Sequence, residues 1–136
     1  MIAVKGFTYT YPAESEPALC DINLEIPEGQ FVAIIGANAA GKSTLCYTLS
    51  GFVPSFFNGT VAGSVNVAGR DLLVTPLAEL AGEVGLVFAN PFNQITGARF
   101  TVREELAFGL ENMGCPREEM APRIDEILRL TGLEEL

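Results

Sequence analysis

The sequence predicts an α/β fold, and three observations carry that prediction. An apolar run, Phe31-Val32-Ala33-Ile34-Ile35, leads into a glycine-bounded loop at 36–44, GANAAGKST, and Leu45-Cys46-Tyr47-Thr48-Leu49 continues it with a helical reading. Apolar–polar alternation marks strands on both sides of that unit, at 2–11 and 18–26 before it and 64–68 after it. From Thr101 onward the chain carries helix start and stop signals instead.

In chain order, 2–11 is rich in β-formers (Ile2, Val4, Phe7, Tyr9, Tyr11) and alternates loosely, which predicts a strand. The stretch 12–17, PAESEP, predicts a turn. From Cys20 the next segment alternates cleanly through Asp21, Ile22, Asn23, Leu24 and Glu25, the pattern of a half-exposed antiparallel strand. Pro27-Glu28-Gly29 turns the chain into 30–35, which reads as a buried strand. The helix after Lys42 ends near Gly51, and 52–63 reads as a long polar-aromatic loop whose Phe52, Phe56 and Phe57 fold back onto their own domain. Residues 64–68 form a strand closed by Gly69, 76–81 a short helix, and 83–88 a second buried strand that Asn90-Pro91 ends. Thr101 and Glu104 have the spacing of a capping box for a helix reaching about Asn112. Pro116 opens the last helix, whose Met120, Ile124, Ile127 and Leu128 share a face, and Gly132 stops it.

The loop at 36–44 carries the chemistry. It fits G-x-x-x-x-G-K-[ST] between a strand and a helix, the context in which this P-loop pattern cradles phosphates. Backbone N–H groups of the loop and of the opening helix converge on the anion. Gly36 and Gly41 bound the loop, and Gly41 lets the main chain approach the phosphates without a Cβ in the way. Asn38, Ala39 and Ala40 supply main-chain amides, Lys42 reaches the β- and γ-phosphates, and Thr44 adds a phosphate contact. The Ser43 hydroxyl is the expected Mg²⁺ ligand.

Composition narrows the alternatives. Over 136 residues, 49% apolar content with 18% charged residues supports a globular chain with one core. The net charge of −9 disfavours a nucleic-acid partner, which needs a positive stripe. No apolar run approaches membrane-spanning length, and MIAVKGFTYTYP lacks a signal-peptide core. Cys20, Cys46 and Cys115 are far apart and histidine is absent, so a reduced chain without a zinc site is expected.

Taken together these segments resemble the N-terminal part of an ABC transporter ATPase subunit. Tyr11-Pro12 ahead of ALCDINLEI is similar to the aromatic loop that stacks on adenine, and QFVAIIGANAAGKST to the Walker A strand and loop. GSVNVAGRDL is similar to the following β-hairpin, EVGLVFANPFNQI to the segment around the Q-loop, and TVREELAFGLENMGCPREEM to the opening of the helical subdomain. The last two and FVPSFFNGTVAG look closest to the energy-coupling-factor (ECF) and cobalt-type importers of vitamins and metals.

The resemblance implies a truncated P-loop NTPase core with an antiparallel β subdomain and the start of a helical subdomain. Residues 1–29 and 58–72 would form the β part, 30–57 and 73–95 the core, and 96–136 the helical part. ATP and Mg²⁺ are the implied cofactors, with Tyr11 stacking on the base and no catalytic residue assigned. Integral-membrane transport subunits and a second ATPase subunit are the implied partners, at the inner face of the cell membrane in the cytoplasm. Hydrolysis coupled to transport would belong to a full-length parent.

The chain departs from the family pattern at several points. Ala39 stands where a further glycine is usual, and Ala89 stands where VFQNP would place the glutamine that approaches Mg²⁺ and the attacking water. Gln94 matches a second glutamine of the ECF-like pattern, not the catalytic one. A signature loop, a Walker B strand and a switch histidine are not in the sequence, so a truncated, catalytically inactive piece is expected. Without a Walker B neighbour, 31–35 would expose an apolar edge, and self-association is expected. Rival readings are a soluble non-transport ABC ATPase and a degenerate nucleotide-binding scaffold. A GTPase is disfavoured by the lack of Asn-Lys-x-Asp, and a P-loop kinase by the few basic residues after the core.

Overall fold

The computed structural model describes residues 1–135; Leu136, the last residue of the expected helical part, lies outside the described residues. Contacts divide the chain into two units that meet between Leu86 and Val87. The first unit is built on a four-stranded antiparallel sheet in the order β2-β1-β3-β4. Its strands are β1 (Ile2–Thr10), β2 (Leu19–Ile26), β3 (Thr60–Val67) and β4 (Arg70–Asp71).

The loose alternation of the first strand has a structural cause. Val4 is buried, and so are Phe7 and Tyr9, an odd step that flips the parity. A bulge between Lys5 and Thr8 against β3 takes up the extra residue, with Gly6 at φ 54°. The partner backbone comes so close there that a Cβ on Gly63 would lie 2.4 Å from the Gly6 carbonyl oxygen. Pairing sets Ile2 opposite Val67 and Val4 opposite Val65 on one side, and Phe7 opposite Ile22 on the other.

Three helical segments complete the unit: α1 (Lys42–Leu49), α2 (Phe52–Ser55) and α3 (Leu77–Leu80). Val4, Phe7, Tyr9, Val65 and Val67 from the sheet close on Leu45 of α1, Val53 of α2, Leu72 and Leu80. Burying each such side chain contributes about 1.5–3 kcal/mol before entropy is counted. The aromatic loop folds inward in part: Phe57 packs against the core while Phe56 stays 66% exposed. Strand β3 begins at Thr60, inside the stretch expected to be loop, because 60–62 pair with Thr8, Tyr9 and Thr10.

The second unit starts with a 3₁₀ turn, Pro91–Asn93, and continues with α4 (Val102–Asn112) and α5 (Arg117–Thr131). The capping box of α4 is present: Glu104 N–H donates to Thr101 Oγ1 at 3.2 Å and Thr101 N–H to a Glu104 carboxylate oxygen at 3.2 Å. Ile124 and Leu128 of α5 are buried and an Arg103–Asp125 ion pair links the two helices. Gly132 caps α5 at φ 69°. Ile127, expected on the buried face, is 45% exposed.

Two expectations are corrected. Neither 30–35 nor 83–88 is a strand among the described residues; 30–35 is exposed throughout, whereas 83–88 is half-buried at Val84, Leu86 and Phe88, with Val84 packing against the core. Phe31 is 101% and Ile35 90% exposed, and Val87 is 82% exposed. A parallel strand is stabilised by ladder neighbours on both sides and by cover on both faces, and neither segment pairs with the four-strand antiparallel sheet.

Candidate functional site

The loop between 36 and 44 curls against the corner where β1 ends and β2 begins. Gly41 sits at φ 79° at the start of α1, and a Cβ there would lie 2.6 Å from the Ala18 carbonyl oxygen and 2.9 Å from Leu19 Cδ2. Only glycine satisfies both the left-handed backbone and the close approach. No side chain caps this helix. Its first intrahelical bond runs from Leu45 N–H to Gly41 O at 2.8 Å, which leaves the amides of Lys42, Ser43 and Thr44 without helical acceptors. Three uncapped donors at the positive end of the helix dipole make a seat for an anion.

Lys42 folds back over that seat. Its Nζ donates to the carbonyl oxygens of Ala37 at 2.6 Å and Gly36 at 3.0 Å. Those acceptors are neutral, so a polyphosphate offers the ammonium a stronger partner within the same reach. The loop is further pinned by a bond from Ala40 N–H to Ala37 O at 3.3 Å.

Tyr11, Ala39, Ala40, Gly41, Lys42, Ser43 and Thr44 together line a cleft of about 240 Å³. Gly36 and Asn38, also expected at the site, do not line it: Gly36 O accepts from Lys42 Nζ, and Asn38 is exposed in a turn. Tyr11 reaches the loop from the sheet side. Its hydroxyl shares a 3.1 Å hydrogen bond with Thr44 Oγ1, and its ring meets Tyr9 edge-on at 4.8 Å and Phe57 at 6.1 Å. Ala18 also lines the cleft and was missed by sequence reasoning. The signal available for it was a small residue directly after Pro17, at the point where a chain leaving a turn must pass close to another backbone.

The residues present fit a magnesium nucleotide. The exposed Ser43 hydroxyl on the cleft wall is a hard oxygen donor of the kind Mg²⁺ takes, beside amides and an ammonium suited to phosphate oxygens. Ala39 is the misfit. It adopts φ 63°, a left-handed conformation that costs an L-residue roughly 1–2 kcal/mol. In the second unit, the Gln94 side chain accepts a 3.1 Å bond from Phe88 N–H, and Ala89 offers only a methyl group to its surroundings.

Comparison with known proteins gives consistent findings. The ABC transporter family pattern matches residues 19–136. A putative ABC transporter ATP-binding protein of Methanosarcina acetivorans is 43% identical over 99% of this chain and 21% of its own length. The energy-coupling factor transporter ATP-binding protein EcfA1 of Lacticaseibacillus paracasei is 42% identical over 98% of this chain and 45% of its own. Among solved structures, CbiO1 of Clostridium perfringens, part of the ABC transporter complex CbiONQ, aligns with a TM-score of 0.80 at 31% identity over 99% of this chain and 51% of that one. A dimeric ATP-binding cassette in a post-hydrolysis state with ADP and Pi aligns at 0.75 and 28% identity, over 99% of this chain and 59% of that one. The chain thus spans from about a fifth to about a half of the length of these two sequence relatives.

Proposed function

The chain belongs to the ABC transporter ATP-binding family, and from that premise we propose that its 36–44 loop grips the polyphosphate of ATP, with Mg²⁺, as part of an ECF- or cobalt-type importer that takes up a vitamin or metal ion. The observation that carries the proposal is the loop itself: Lys42 folded over uncapped helix amides, next to the Tyr11 ring.

Each group has a task in this reading. The amides of Lys42, Ser43 and Thr44 and those of the loop before them hold the phosphate oxygens, Ala40 N–H giving up its Ala37 acceptor to do so, and Lys42 exchanges its carbonyl acceptors for the β- and γ-phosphates. Ser43 holds Mg²⁺, which would neutralise phosphate charge. Tyr11 gives the adenine a ring to lie on. The ECF-type assignment draws on the likeness to EcfA1 and CbiO1. It carries with it integral-membrane partners, a second ATPase subunit and a place at the inner face of the cell membrane. No helix among the described residues is long and apolar enough to cross a membrane, which fits a peripheral subunit.

Titration of the chain with a fluorescent ATP analogue tests the reading. Binding is expected, and Lys42→Ala should weaken it by at least about tenfold, the loss of one charge-assisted contact of roughly 1.5–3 kcal/mol. Ser43→Ala should remove the Mg²⁺ dependence of that binding. The chain alone is expected to bind without turnover, because Ala89 can neither orient water nor approach a metal ion; Lys42-dependent phosphate release would contradict this. Ala89 and the strained Ala39 also favour a second reading, a degenerate nucleotide-binding scaffold, which binding insensitive to Lys42→Ala would support.

A further inference from the structure

We infer that Tyr11 is a positioning residue for the phosphate-gripping end of α1, acting through its hydroxyl on Thr44, in addition to any role of its ring. The inference rests on the phosphate-site reading above and adds a second duty to one of its residues. Tyr11 and Thr44 are 33 residues apart in the chain, yet their hydroxyls meet at 3.1 Å beside the cleft. Thr44 is only 7% exposed, so its Oγ1 has little access to water. It is also the third residue of α1, with one of the amides left free for the anion.

The Tyr11 ring is itself fixed. Tyr9, fully buried in the sheet core, meets it edge-on at 4.8 Å, and Phe57 also meets it in a T-shaped contact at 6.1 Å. Phe57 in turn lies 5.0 Å from Tyr47 of α1. The phenol is therefore a strut from the sheet to the first turn of α1. No side chain caps this helix; within α1 the first turn is held by Leu45 N–H to Gly41 O at 2.8 Å and by the Thr48 hydroxyl to Thr44 O at 2.9 Å, and the Tyr11 hydroxyl ties the Thr44 side chain to the strand side. Removing the hydroxyl would leave the ring where it is and release the turn. The effect should fall on phosphate binding whether or not a base is attached.

That distinction makes the inference testable. Equilibrium binding of ATP and of inorganic triphosphate, each with Mg²⁺, would be measured on the unaltered chain, Tyr11→Phe, Thr44→Val, the double variant and Thr44→Ser. Loss of one net hydrogen bond is expected to weaken both ligands alike, by roughly threefold to tenfold in Tyr11→Phe and in Thr44→Val. The double variant should be no worse than either single one, and Thr44→Ser, which keeps the hydroxyl, should bind as the unaltered chain does. Triphosphate binding unchanged in Tyr11→Phe would overturn the inference, as would additive losses in the double variant. Absence of Lys42-dependent binding in the unaltered chain is a different result, and it would overturn the phosphate-site reading together with the inference. Thermal melting of each variant separates a local release of α1 from general unfolding, and a loss of binding that tracked a large fall in Tm would also count against the strut.

Discussion

At the scale of single residues, the site is decided by backbone handedness. Ala39 and Gly41 both sit at positive φ, 63° and 79°, two residues apart in the loop that leads into α1. Ala39→Gly is expected to stabilise the chain by about 1 kcal/mol, the αL strain relieved less the added entropy of glycine in the unfolded chain. Phosphate affinity should rise or stay level with it, read by melting and titration. Gly41→Ala is expected to do the opposite. Its Cβ would press on the Ala18 carbonyl oxygen at 2.6 Å, so binding should be lost and Tm should fall. The sequence marked Ala39 as unusual only through the family pattern; its handedness came from the folded loop.

Tyr9 shows a residue-scale effect of burial. It is 0% exposed and its hydroxyl donates to Asn58 O at 2.8 Å. Burial first, and the neighbouring Tyr11 second, push its phenol above the ordinary value of about 10. In the unfolded chain the phenol gives up its proton near that value, while the buried one still holds it. The unfolded state then binds fewer protons, so stability is intact below about pH 10 and falls as pH rises beyond it. Tyr9→Phe should flatten this alkaline slope while costing about 0.5–1.5 kcal/mol at neutral pH for the lost bond. Chemical denaturation at pH 7 and pH 10.5 checks both halves.

At the scale of elements, legibility follows how locally an element is specified. The helix α4 was readable from Thr101 and Glu104 because a capping box closes within four residues, and both of its bonds form. Thr101→Ala should cost about 1 kcal/mol, seen as lost helicity and a lower melting point for the second unit. The strands β1 and β2 were readable from their alternation, but the bulge at Gly6 was not, since it depends on the approach of Gly63 from β3. Sequence reasoning also made strands of 30–35 and 83–88. Their composition suits a buried ladder, yet composition alone cannot supply the neighbours a ladder needs.

For the whole molecule, the consequence is an uncovered apolar segment in the first unit. Phe31 and Ile35, both nearly or fully exposed, stand with Val32 and Ile34, which are 45% and 39% exposed. Apolar exposure of this kind favours association, so the isolated chain is expected to self-associate as its concentration rises. Paired replacement Phe31→Asp with Ile35→Lys should shift sedimentation toward the monomer. A clean monomer from the unaltered chain at high concentration would contradict the expectation. What the sequence by itself determined was the Gly-Lys-Ser motif between Gly36 and Thr44, the capping box of α4, the Gly132 stop and the strands β1 and β2, because each is written in residues a few positions apart. The tertiary structure alone decided the left-handed turn at Ala39, the entry of Ala18 into the cleft and the link from Tyr11 to Thr44 across 33 residues. Such contacts depend on where the sheet carries distant parts of the chain, and no local pattern of side chains encodes that distance.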